Sequence, residues 1–122
     1  MFSEPEAPLT PSVFYILLAL GVKERHGYDI MKQVQEDSKG KVKLGPGTLY
    51  GSIKKMLEKN LIVEVDERPD QILDDERRRY YMLTEVGRKM LSIELQRFAE
   101  ALEIAKRKKL SISFTSVRLS YV

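Results

Sequence analysis

Few side chains in this sequence have the types and spacing that covalent chemistry needs. His26 is the single histidine and there is no cysteine, so no thiolate can act as nucleophile or metal ligand. No serine nucleophile motif, convergent carboxylate pair or metal-ligand spacing is present. Gly45, Gly47 and Gly51 match neither the dinucleotide fingerprint nor the P-loop, and no clear strand precedes them. A lone histidine is more often structural than catalytic, and His26 is expected to orient the start of a helix. Tyr80 and Tyr81, on opposite faces of a strand, are expected to be one buried and one exposed, and neither has a catalytic partner. What remains is non-covalent recognition: no enzyme, no cofactor and no metal are expected.

The groups best suited to recognition lie between Pro46 and Lys55. At about 100° per residue, Leu49, Ile53, Met56 and Leu57 form one apolar stripe. Gly51, Lys54 and Lys55 fall opposite it, with Thr48 beside them and Tyr50 on the flank. At an exposed mid-helix position Gly51 costs about 1 kcal/mol relative to alanine. Close approach of another surface would favour a residue with no Cβ, and the groove of a nucleic acid is such a surface. The net charge of +3 is only mildly basic and argues little by itself. Its placement says more: Lys41, Lys43, Lys54, Lys55 and Lys59 face a single acid, Glu58, in the stretch 41–60. Thr48, Tyr50, Gly51 and Ser52 are the candidates for base and sugar contacts, with Pro46 and Gly47 opening the helix. Lys54, Lys55 and Lys43 suit phosphates, which position rather than specify. Tyr50 has a second reading, half-buried against the preceding helix.

The surrounding elements follow from periodicity and caps. Thr10-Pro11 starts a first helix whose run Val13–Leu20 is apolar nearly all round, so it belongs at the centre of the core. Gly21 marks its end. His26-Gly27-Tyr28-Asp29 opens a second helix with Ile30, Met31 and Val34 inward, ended by Gly40. Asn60 is expected to close the third helix in a left-handed conformation. The period then changes to strand-like at Leu61–Asp66 and again at Arg79–Leu83. The charged segment between them forms the tip of a hairpin. There Arg77, Arg78 and Arg79 either balance Asp74, Asp75 and Glu76 or reach a minor groove or phosphate; at least one nucleic-acid contact is expected. Thr84 caps a long last helix in which Leu91, Leu95, Phe98, Leu102 and Ala105 repeat as a short heptad seam. A second copy of the chain is the economical partner for that seam.

The fold class is therefore mainly α with a small β-hairpin: a winged helix-turn-helix plus a C-terminal dimerisation helix. Residues 1–83 form the DNA-binding domain, 84–110 the dimerisation helix, and 111–122 a tail that alternates like a strand. Packing on the dimer and a non-native extension are both open for that tail. The longest apolar run is too short to span a bilayer and the N-terminal residues lack the basic region of a signal peptide, so a cytoplasmic location is expected.

With these pieces laid out, the sequence resembles the PadR family of transcriptional regulators. The carrying residues are Leu17-Leu18-Ala19-Leu20, His26-Gly27-Tyr28-Asp29-Ile30, Gly45-Pro46-Gly47-Thr48-Leu49-Tyr50, Ile53-Lys54-Lys55-Met56, Leu61-Ile62 and Tyr80-Tyr81-Met82-Leu83-Thr84-Glu85-Val86-Gly87. The resemblance implies a homodimeric winged helix that binds operator double-stranded DNA and pairs through its C-terminal helices, here in the compact form with one helix after the wing. It also allows release of DNA by a signal that changes the relative placement of the two winged domains. Some relatives recognise phenolic acids and hydrophobic drugs and many have no known ligand, so a small hydrophobic or aromatic effector is left open and unassigned. A cleft at the dimer interface near the first and last helices is the expected place. Two rivals compete with this reading: a winged helix used only for protein contacts, and an RNA-binding protein, for which no exposed aromatic platform is evident.

Overall fold

A computed structural model of the chain describes residues 8–65 and 79–110. The elements run α1 (Pro11–Leu20), β1 (Arg25–His26), α2 (Gly27–Asp37), α3 (Pro46–Glu58), β2 (Ile62–Val65), β3 (Tyr80–Leu83) and α4 (Glu85–Arg107). The tail 111–122, the hairpin tip with Arg77 and Arg78, and the arm before Pro8 lie outside the described residues.

Helix α1 is the centre of the core, as its all-round apolar run requires. Ile16 and Leu17 are fully buried and Phe14, Ala19 and Leu20 nearly so. Around it pack Ile30 and Val34 of α2, Leu49, Ile53 and Met56 of α3, Leu61, Ile62, Tyr81 and Leu83 of the wing, and Leu91 of α4. The start signals act as capping chemistry predicts. Thr10 Oγ1 accepts from the Val13 N–H at 3.3 Å, and Thr84 Oγ1 from the Gly87 N–H at 3.0 Å. His26 does the same for α2, its Nδ1 accepting from the Asp29 N–H at 3.2 Å. Asn60 adopts φ 60°. The Asn60 and Leu61 amides donate back to the Leu57 and Met56 carbonyls at 3.0 and 2.9 Å, a Schellman ending for α3.

Several expectations need correction. The expected hairpin is present as β2 and β3, and β1 joins it in a three-stranded antiparallel sheet of order β1-β3-β2. Arg25 and His26 pair with Tyr81 and Tyr80, and Ile62–Val65 pair with Leu83–Tyr80. Two residues are too few to show a period, so β1 left no mark in the sequence pattern. It makes β3 the central strand, and both Tyr80 and Tyr81 are buried, at 9% and 4% exposure. Tyr80 is covered by the His26 ring, edge-on at 5.3 Å between centroids. Gly21 does end α1, but in right-handed geometry with φ −66°. Gly40 follows α2 with φ 79°, behind Lys39, which is also left-handed at 55°. Met31 is half-buried, and Leu57, at the margin of the α3 stripe, is 37% exposed.

Candidate nucleic-acid interface

The start of α2 and the turn that follows it are fixed by polar groups that the sequence pattern does not single out. Arg25 is buried; its Nε donates to the Ala19 carbonyl at 2.8 Å and its Nη1 to Asp29 Oδ2 at 3.0 Å. One guanidinium thus ties the end of α1, strand β1 and the first turn of α2. Ser38 is buried in the turn after α2, where its Oγ accepts from the Val42 N–H at 2.9 Å. An arginine and a serine are usually surface residues, so only their tertiary surroundings reveal these roles.

The face of α3 turned away from the core is the one the wheel placed there. Leu49, Ile53 and Met56 are buried, while Pro46, Gly47, Thr48, Tyr50, Gly51, Lys54 and Lys55 are exposed, Ser52 is half-buried, and Lys43 is exposed just ahead of the helix. A Cβ built on Gly47 or Gly51 would meet nothing within 4 Å. The N-cap residue Gly45 offers no side-chain bond, and the first turn carries no acid. The positive end of the α3 dipole therefore faces solvent with Lys43 just ahead of it, an arrangement suited to a phosphate.

Tyr50 combines its two readings. It is 50% exposed, yet its phenol end lies on Gly27 of α2: a Cβ there would meet Tyr50 Oη, and Tyr50 Cζ at 2.8 Å. Beside it at the start of α2 stands Tyr28, 66% exposed and stacked on His26 at 6.5 Å. Tyr28 is not among the contact candidates read from the sequence, although a tyrosine at a helix start is a readable signal. Tyr81 lies beneath this region. Burial raises its phenol above the ordinary value, Glu64 and Tyr50 push it further, and Arg79 opposes.

In the wing, Arg79 is exposed and forms a cross-strand ion pair with Glu64 at 3.4 Å. On α4 the heptad seam is divided. Leu91 belongs to the protomer's own core, so the exposed apolar run begins only at Leu95 and continues through Phe98 and Ile104, with Leu102 and Ala105 half-buried. Phe98 packs edge-on to Phe14 at 5.2 Å while remaining 52% exposed. Among the described residues no group of three or more His, Asp or Glu is placed to hold a metal ion, and no helix is long and apolar enough to cross a membrane.

Comparison with known proteins agrees with this geometry. The sequence profile described as the transcriptional regulator PadR-like family matches residues 16–93. The chain belongs to that family. The matched segment runs from the middle of α1 to the third turn of α4, so it covers the winged helix and stops short of the exposed α4 seam. A PadR family transcription regulator from Clostridium difficile R20291 is similar in structure, with a TM-score of 0.67 and 30% identity over 83% of this chain and 100% of that one. A transcriptional regulator from Clostridium thermocellum shares the fold, with a TM-score of 0.61 and 19% identity over 79% of this chain and 87% of that one. An uncharacterized protein from Lysinibacillus sphaericus is 29% identical over 89 residues, 73% of this chain and 79% of its own. As a PadR-like protein, this chain has the winged-helix architecture of a transcription regulator.

Proposed function

We propose that this PadR-like regulator is a homodimeric repressor that binds a specific double-stranded operator. The observation that carries the reading is the outer face of α3, where small residues, hydroxyls and Lys54 and Lys55 stand exposed over a buried apolar stripe. Each protomer would lay the N-terminal half of α3 in a major groove, with half-sites about 34–36 Å apart or a multiple of that. Thr48, Tyr50, Gly51 and Ser52 would meet bases and sugars. Lys43, Lys54, Lys55 and the Gly47 amide would meet the backbone, with Pro46 opening the helix. Tyr28 adds an exposed hydroxyl at the start of α2. In the wing, Arg77 and Arg78 would serve the flanking backbone, and Arg79 would have to exchange its pairing with Glu64 for a phosphate. Pairing would use Leu95, Phe98, Leu102 and Ala105, with Leu91 supporting them from the core. An effector can release DNA only by binding the two arrangements of the winged domains unequally.

The test is a titration of a labelled palindromic duplex, selected from a random pool, at several salt concentrations. Affinity in the range of about 10⁻⁸–10⁻¹¹ M at physiological salt is expected. Lys54→Ala/Lys55→Ala should weaken binding across sequences and reduce the salt slope by about two phosphate contacts per protomer. Selection that enriches no sequence, with the double variant unchanged, would favour a module used for protein contacts. Competition by single-stranded RNA would favour the RNA reading.

A further inference from the structure

On the flank of α3 that carries Ser52, Lys55 and Lys59, the chain leaves a groove of about 650 Å³. It runs between the residues preceding α1, the C-terminal half of α3 and the first two turns of α4, walled by Leu9, Val13, Met56, Leu61, Val86 and Met90. That volume falls inside the range of small-ligand sites, about 300–1,000 Å³. Lys55 and Lys59 are four residues apart on one ridge, where like charges repel. Neither has an ion-pair partner among the described residues.

We propose that this groove binds the carboxylate of a free fatty acid. Two unpaired ammonium groups at the edge of an apolar groove call for an amphipathic anion, and the Ser52 hydroxyl can donate a further hydrogen bond to it. The walls select the tail. They are aliphatic and thioether side chains with no aromatic residue among the described lining, and methionine adapts its shape to a flexible chain. A flat ring would find no face to stack on. The carboxylate sits between Lys55 and Lys59, and the acyl chain runs toward Val86 and Met90. The consequence rests on the function proposed above: Lys55 is there assigned to a phosphate, so a filled groove withdraws it from DNA by direct competition.

Isothermal titration calorimetry of the full chain, without DNA, tests the site itself using dodecanoate below its micelle concentration. Saturable uptake of one molecule per chain is expected. Lys55→Gln/Lys59→Gln should weaken it by about tenfold or more, a difference of about 1.4 kcal/mol. Dodecanol and dodecyltrimethylammonium should bind the unaltered chain more weakly by at least the same factor. Absence of uptake, equal affinity for the three amphiphiles, or affinity unchanged in the variant overturns the proposal. Lysine-independent uptake that changes the mass of the assembly also overturns it and assigns the groove to a second copy. With a bound duplex, dodecanoate should lower the apparent DNA affinity of the unaltered chain; duplex binding indifferent to a saturated groove overturns the competition. If no duplex binds at all, the operator reading fails, while the calorimetry still decides the groove.

Discussion

At the joint of α3, β2 and α4, a Cβ on Gly87 would fall against the Leu61 carbonyl, within 2.9 Å of its carbon. On the outer face of α3, a Cβ on Gly47 or Gly51 would meet nothing within 4 Å. Both regions place glycine in a helix; at the interior position Gly51 it is less favourable than alanine by about 1 kcal/mol. At the joint the chain itself gives the reason, because the first turn of α4 can approach Leu61 only without a side chain. There the Leu61 carbonyl also accepts from the Thr84 amide at 3.1 Å, and Thr84 Oγ1 lies 2.7 Å from the Asn60 carbonyl. On α3 the chain gives no reason of its own. Under the function proposed above, a position without a Cβ suits a surface that another molecule approaches closely.

The largest effect is expected at the joint. Gly87→Ala should destabilise the protein by about 3 kcal/mol, the upper range for overpacking against backbone, as a lowered midpoint in urea. A change near zero would remove the steric account of that glycine. Thr84→Val should cost about 1–2 kcal/mol through loss of the α4 cap, in the same assay. Gly51→Ala should act in the opposite direction, stabilising by about 0.5–1 kcal/mol while weakening the selected duplex by about tenfold. Greater stability with unaltered DNA binding would break the contrast between the two regions.

Leu95→Glu should leave protomer stability within about 0.5 kcal/mol, as for exposed positions, yet shift the sedimenting mass to that of one chain. The smallest effect is confined to alkaline pH. The folded state holds the Tyr81 proton above the ordinary value of 10.0. As pH rises past that value the unfolded chain releases its proton first, so stability falls. Tyr81→Phe should flatten that part of the pH–stability curve; an unchanged curve would detach the alkaline loss from this residue.

How much was legible varied with the range of the interaction. The buried stripe Leu49, Ile53 and Met56, the caps Thr10, His26 and Thr84, and the left-handed Asn60 could be read directly, because each is written within one or two turns of chain. The exposed side of α3 followed, since a helix with one face buried must present the other. Strand β1 was illegible at two residues, and with it the burial of both Tyr80 and Tyr81. Arg25 and Ser38 were illegible for a different reason: their partners Ala19 and Val42 are meaningful only once the helices are in place. Leu91 continues a heptad in the sequence but spends it inward, because α1 lies there.

The amino-acid order alone determined the helices, their starts and the polarity of each face, since hydrophobic period and capping are local and act before any packing. The three-dimensional arrangement decided which faces the protomer covers for itself. It closed Leu91, Gly27 and Gly87 against neighbouring elements and left Gly51, Lys54 and Leu95 open. Coverage depends on which distant segments arrive at a surface, and no short-range pattern carries that information.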